Sequence, residues 1–362
     1  MPKHLLIIAC LLPAVCLSQS QKKSFLKNTS IGSRFYYGSY LITKSKAEYI
    51  KDSYASFGEI FFQQQTKGNK DWQVSHQYPQ WGVSFLHGNP GSRKYIGHLN
   101  ALYAYLNLPL ISRRKYTASF LLGGGPGFIS KPFDINTNPK NTLIGTRLNA
   151  YINMVLQNEV KISNRFFLQA GLNFMHLSNG GTTLPNLGLN TPGIFAGIRY
   201  AFDEPVKEEK IVKDSFSRKM NYQIFTTIGL KQAPWIGGNY YTINALQAEA
   251  SLRVSRNYSY GLGMILFYNR ALDFFPLENP SYEKRGQKKL QAGVYGSYEH
   301  FFGKLSVPLQ LGVYVYNKAK SPLLFQQFGL RYALSKHIST ELLLKLHTGQ
   351  ADFIHTGIGY NF

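Results

Sequence analysis

From Ser33 to the end of the chain, Tyr, Phe, Val, Ile and Thr alternate with polar side chains, and Gly, Asn, Pro and Lys interrupt the alternating runs. A period of two marks a strand with one apolar and one polar face. The runs predict strands near 35–45, 54–65, 76–88, 97–111, 115–130, 145–163, 165–178 and 193–202. A charged stretch poor in aromatic residues follows, opening Asp203-Glu204-Pro205-Val206-Lys207-Glu208-Glu209-Lys210 and running to about Lys219, and it reads as a linker or short helix. A second set of strands is predicted near 221–232, 241–255, 257–269, 288–302, 305–317, 322–336, 337–347 and 352–362.

The two halves end alike. Gly193-Ile194-Phe195-Ala196-Gly197-Ile198-Arg199-Tyr200-Ala201-Phe202 can be laid over Phe353-Ile354-His355-Thr356-Gly357-Ile358-Gly359-Tyr360-Asn361-Phe362, sharing Ile, Gly, Ile, Tyr and Phe in register. An amphipathic strand closing on Phe is what outer-membrane barrels present at their ends. The pattern therefore predicts an all-β, antiparallel transmembrane β-barrel. It leaves open one barrel of up to sixteen strands or two tandem eight-stranded units. The halves divide as 21–202 and 220–362, joined by the linker at 203–219.

Composition narrows this reading. Residues 1–20 have the layout of a cleaved signal peptide, with Lys3 and His4, an apolar run from Leu5 to Leu17 and a small-residue exit at Ser18 to Ser20. Cys10 and Cys16 both lie there, so the mature chain would have no thiol for a disulfide, a metal or nucleophilic chemistry. No later window approaches 18 apolar residues, which excludes a helical span. A mean hydropathy of −0.20 agrees with strands that put polar residues inside and apolar ones outside. The 25 Tyr and 25 Phe suit interfacial girdles.

The formal charge of +22 calls for an anionic partner. For an exported protein nucleic acid is the weakest choice, and the phosphates of lipopolysaccharide in the outer membrane are the natural one. Lysines that only keep loops solvated are the plainer alternative. The oligomeric state is not legible.

One segment carries candidate chemistry. Sorted by period two, Arg165 to Asn179 places Phe166, Leu168, Ala170, Leu172, Phe174, His176 and Ser178 on one face and Gln169, Gly171 and Asn173 on the other. The first face is the lipid side, and it turns polar only at its last two positions. Two residues apart on a strand, His176 and Ser178 have Cα atoms roughly 6.5–7 Å apart. That spacing brings an imidazole within reach of a hydroxyl, the pairing that activates a serine nucleophile. With the chain starting in the periplasm, the pair lies at the external rim. An interfacial His and Ser merely capping the strand is the competing reading.

The residues beyond extend the pattern. His176-Leu177-Ser178-Asn179-Gly180, followed by Pro185-Asn186-Leu187-Gly188-Leu189-Asn190, resembles the outer-membrane lipid A 3-O-deacylase family, the PagL-like acyloxyacyl hydrolases. The resemblance is specific over about 165–202 and extends by strand count over about 33–202. It implies an eight-stranded barrel and hydrolysis of an acyl ester of lipid A in the outer leaflet. It also implies Ser178 as nucleophile and His176 as general base. The family's third member is a Glu twelve residues after the Ser, and here that position is Asn190. An amide oxygen can still orient an imidazole, but it carries no full negative charge. Asn179, Gly180 and Asn186 are candidates for oxyanion stabilisation or for turn formation. A non-catalytic barrel, whether pore, structural protein or glycolipid binder, is the rival function.

The second half has Lys345-Leu346-His347-Thr348-Gly349, with Gly349 where a serine would stand, so it is expected to be non-catalytic and His347 structural. Gly123-Gly124-Gly125-Pro126-Gly127 interrupts a strand and opens no helix, which suits bulges or close packing and not a phosphate loop. His76, His87, His98, His300, His337 and His355 show no metal-ligand spacing, and no metal or other cofactor is implied.

Overall fold

The computed structural model describes residues 27–41, 45–203, 216–233, 235–274, 289–318 and 322–362. The leader expected at 1–20 and most of the linker expected at 203–219 lie outside the described residues. The first half forms strands β1 (Thr29–Gly38), β2 (Ala55–Gln65), β3 (Gln80–Asn89), β4 (Leu99–Ser112), β5 (Tyr116–Ile129), β6 (Leu148–Lys161), β7 (Phe166–Ser178) and β8 (Leu189–Ala201), with a short α-helix, α1 (Asp71–Ser75), and a 3-10 helix at Ser45–Ile50. The second forms β9 (Lys219–Gln232), β10 (Tyr240–Arg253), β11 (Tyr258–Asn269), β12 (Leu290–Phe302), β13 (Leu305–Asn317), β14 (Leu324–Ala333), β15 (Ile338–His347) and β16 (Gln350–Asn361).

Each set of eight closes on itself. Antiparallel pairing of β1 with β8, from Ser30↔Ala201 to Gly38↔Gly193, seals the first barrel. Pairing of β16 with β9, from His355↔Gly229 to Asn361↔Gln223, seals the second. The two architectures left open by the sequence thus resolve to a pair of small barrels. Strand β1 is displaced from the expected 35–45. The chain leaves the ladder after Gly38, where a Cβ would strike the Pro192 carbonyl, and residues beyond it hook onto β8 through Ser39 N–H to Pro192 O and Leu41 N–H to Asn190 O.

The two faces separate as the alternation requires. Phe35, Ile60, Leu102, Leu172, Leu246, Leu262, Met264 and Ile358 point outward and are exposed, a sheath of apolar surface that suits hydrocarbon and not water. The interiors are filled, as eight strands allow. Arg34 lies inside the first barrel, pairing with Glu59 at 2.6 Å and donating to Gln169 and Gln157 at 3.0 and 3.1 Å. Tyr36 and Tyr103 donate to the same carboxylate. Glu159, also buried inside the first barrel, is paired with Arg199 at 2.6 Å. Arg331 plays the corresponding part in the second barrel, with Glu299 at 2.7 Å and Glu341 at 3.0 Å. Two lumens packed around buried guanidinium–carboxylate networks do not make an open pore. The glycine cluster of β5 serves packing, since a Cβ at Gly123 would meet the Tyr103 ring at 2.7 Å.

Candidate active site

The β7–β8 hairpin builds the site. On β7 the outward residues Phe166, Leu168 and Leu172 are exposed, Phe174 and His176 are half-buried, and Ser178 is only 4% exposed. The outward face is therefore apolar for most of its length and becomes covered where it turns polar. Cross-strand register sets His176 directly against Asn190, so both side chains stand on that face.

The three polar groups form a chain. His176 Nδ1 lies 2.7 Å from Asn190 Oδ1, and His176 Nε2 lies 3.0 Å from Ser178 Oγ. An amide oxygen only accepts, so Nδ1 carries the proton and the Nε2 lone pair is left to receive the serine hydroxyl. The backbone of Asn190 is itself fixed, because its carbonyl accepts from Leu41 N–H at 2.7 Å. Gly188, at φ +74°, packs beside the imidazole; a Cβ there would sit 3.3 Å from His176 Cε1.

Residues 179–188 fold over Ser178. Gly180 N–H donates to Ser178 Oγ at 3.3 Å, which makes it the backbone donor beside the hydroxyl. Asn179 organises the loop: its Nδ2 donates to Thr183 O at 2.8 Å, its Oδ1 accepts from Gly181 N–H at 3.1 Å, and its own N–H donates to Asn186 Oδ1 at 3.1 Å. Of the three oxyanion candidates, Gly180 therefore adjoins Ser178, Asn179 is engaged within the loop, and Asn186 braces it. The loop also leans on residues 130–147, where Gly188 N–H reaches Leu143 O at 3.1 Å and Ile144 bridges Asn186.

In the second barrel His347 Nε2 is 2.9 Å from the Tyr314 hydroxyl, and Gly349 offers no side chain. Among the described residues no group of three His, Cys, Asp or Glu is placed to hold a metal ion. Two histidines without any sequence relation do meet: His76 Nε2 lies 2.9 Å from His300 Nε2 across the two barrels. Sequence reasoning also missed Gln232 and Tyr240 of the second barrel, which bond to Leu184 N–H and to the Thr183 hydroxyl of the site loop, both at 2.8 Å. Nothing in local spacing signals contacts between segments some fifty residues apart.

Comparison with known proteins places both halves. Residues 57–199 match the family described as lipid A 3-O-deacylase (PagL), and residues 220–362 match the family described as acyloxyacyl hydrolase, C-terminal domain. No curated protein matches the chain. Among solved structures, Neisserial surface protein A is 8% identical with a TM-score of 0.34, over 48% of this chain and 97% of that one. The Acinetobacter baumannii outer membrane protein Omp33 is 7% identical with a TM-score of 0.18, over 92% and 97% of the respective chains.

Proposed function

We propose, from the premise that the chain belongs to the lipid A 3-O-deacylase (PagL) family of outer-membrane β-barrel hydrolases, that Ser178 and His176 hydrolyse an acyl ester of lipid A at the external end of the first barrel. The observation that carries this reading is the Asn190–His176–Ser178 chain on the outward wall, at 2.7 and 3.0 Å. Ser178 Oγ attacks the ester carbonyl while His176 Nε2 takes its proton. The C–O bond to the sugar then breaks, and the imidazolium returns the proton to the leaving alkoxide. Water, deprotonated by the same nitrogen, frees the fatty acid from the serine ester. Gly180 N–H is the donor for the oxyanion. Exposed Lys51, Arg93, Lys94, Lys131 and Lys140 on the external loops would face lipopolysaccharide phosphates, with basic turns at the opposite end, among them Arg113, Arg114 and Lys115. On this reading the second barrel is non-catalytic, since Gly349 stands where the nucleophilic serine would.

The test is the mass spectrum of lipid A from cells producing the wild-type chain or Ser178→Ala. The wild type should yield lipid A lighter by one acyl chain, and the variant should leave it intact. Identical acylation with and without the serine sinks the esterase reading. One observation favours a second reading, a barrel that binds the glycolipid without cleaving it: the neutral Asn190 stands where the family has a carboxylate. Lipid A that co-purifies uncleaved with the wild-type protein would support that alternative.

A further inference from the structure

The loop that covers Ser178 is not held by its own barrel alone. Gln232, at the external end of β9, accepts from Leu184 N–H through Oε1 at 2.8 Å, and its backbone N–H donates to Thr182 O at 3.1 Å. Its Nε2 is tied to Gly238 O at 3.0 Å, so the carboxamide is set by the second barrel with its oxygen aimed at the first. The Thr183 and Tyr240 hydroxyls meet at 2.8 Å.

Two glycines let the loop lie flat against the second barrel. A Cβ at Gly180 would collide with the tip of Ile354, and one at Gly181 would sit 2.8 Å from the carbonyl oxygens of Ala351 and Asp352. Both have positive φ, which side chains rarely adopt. Exposure along the facing walls agrees. On the outer face of β15 and β16, Leu342 and Ile358 are 50% and 53% exposed, whereas Leu344, Leu346 and Ile354, nearer the external end, are half-covered. On β7 the change falls at the same level, between exposed Leu172 and half-covered Phe174 and His176.

A second contact zone lies at the opposite end, where Asp71 pairs with Arg256 at 2.5 Å and His76 meets His300. The outward residues Phe35 of β1, Ile194 of β8 and Ile224 and Ile228 of β9 are apolar and exposed. The nucleophile thus sits at the end of an apolar outward wall, where the second barrel covers its loop.

We infer that the second barrel completes the ester-cleaving site, with Gln232 positioning the nucleophile loop and Leu344 and Ile354 forming the wall on which the substrate's acyl chain lies. The inference rests on the proposed Ser178 chemistry. A chain entering from the leaflet meets this wall before its ester carbonyl reaches Ser178, so the wall selects by chain length. Gln232 touches no reacting atom and acts through the backbone of residues 182–184.

The experiment uses the full chain refolded in detergent micelles, with p-nitrophenyl butyrate and palmitate as probes. Gln232→Ala should lower kcat about tenfold on both esters while KM moves less than twofold, because small misplacements of a nucleophile act on the chemical step. Gln232→Glu keeps the acceptor for Leu184 N–H but loses the donor to Gly238 O, and should recover only part of the rate lost in Gln232→Ala. Ile354→Trp, which enlarges the side chain against Gly180, should cost palmitate about tenfold more than butyrate in kcat/KM, so that the palmitate-to-butyrate ratio falls about tenfold. Leu344→Phe, a milder addition on the same wall, should shift the ratio in the same direction and guards against a variant that fails to fold. Wild-type values on both esters for Gln232→Ala and Ile354→Trp, with Ser178→Ala inactive, would overturn the role of the second barrel and leave the esterase reading intact. Hydrolysis persisting in Ser178→Ala would remove that reading, and this inference with it.

Discussion

At Asn190 a neutral amide holds the imidazole where a carboxylate would do more. Its oxygen fixes the tautomer through the 2.7 Å bond to Nδ1, but it adds no charge to balance the imidazolium that the proposed proton transfer from Ser178 would form. Asn190→Asp keeps the shape and supplies that charge, and should raise the initial rate on a chromogenic ester about tenfold. Asn190→Leu, which loses the oxygen, should lower it about a hundredfold. An Asp variant no faster than the wild type would mean that no cationic imidazole forms in the rate-limiting step. His176 and Ser178 were legible as a pair from period two alone. Asn190 was reachable only through the family resemblance, since its place beside His176 depends on the register of β7 against β8. Gln232 was out of reach, because it meets Leu184 through the docking of one barrel on another.

Among the elements, α1 shows how a short segment joins two sheets. His76, just past its end, donates Nδ1–H to Trp72 O at 2.7 Å, which leaves Nε2 as acceptor for His300 Nε2–H. With both rings neutral, Tyr298 O–H donates to His300 Nδ1 at 2.7 Å and completes the chain of bonds, whereas two protonated rings would set Nε2–H against Nε2–H. Burial lowers the His76 pKa from its ordinary 6.5, against the opposing effect of the Trp72 carbonyl. The unfolded imidazole therefore binds protons more readily than the folded one. The stability of this contact is present in full above pH 6.5 and is lost as pH falls below it. Between pH 7.5 and 5.5 the melting temperature of the refolded protein should drop more for the wild type than for His76→Gln; equal drops would show that the ring is not the sensitive group. The strands themselves were largely legible, because lipid outside and a packed lumen inside enforce strict alternation. Strand β1 was the exception: Thr29-Ser30-Ile31-Gly32-Ser33 is small and polar and reads as coil, yet it pairs on both sides.

For the molecule as a whole, the sequence could not decide between one barrel and two. Alternation is the same in both, and closure depends on pairings such as Ser30↔Ala201 that join the ends of each half. Each barrel carries its own buried arginine network, so each should unfold on its own account. Arg34→Met strands Glu59, which is fully buried, without a counter-charge and should cost the first barrel about 3–5 kcal/mol. Read by single-tryptophan variants, the denaturant midpoint at Trp81 in β3 should fall while that at Trp235 beside β9 stays put. A joint shift would mean one cooperative unit.

Closure also leaves neither sheet an edge, so the barrels cannot be joined by strand pairing. Among the described residues they meet through loops, side chains and the backbone N–H of Gln232 at the end of β9. One cylinder can therefore tilt against the other without breaking a ladder hydrogen bond in either. Any change in their tilt would fall on the Gln232–Leu184 and Tyr240–Thr183 bonds at one end and on the Asp71–Arg256 and His76–His300 pairs at the other, and both ladders would stay whole.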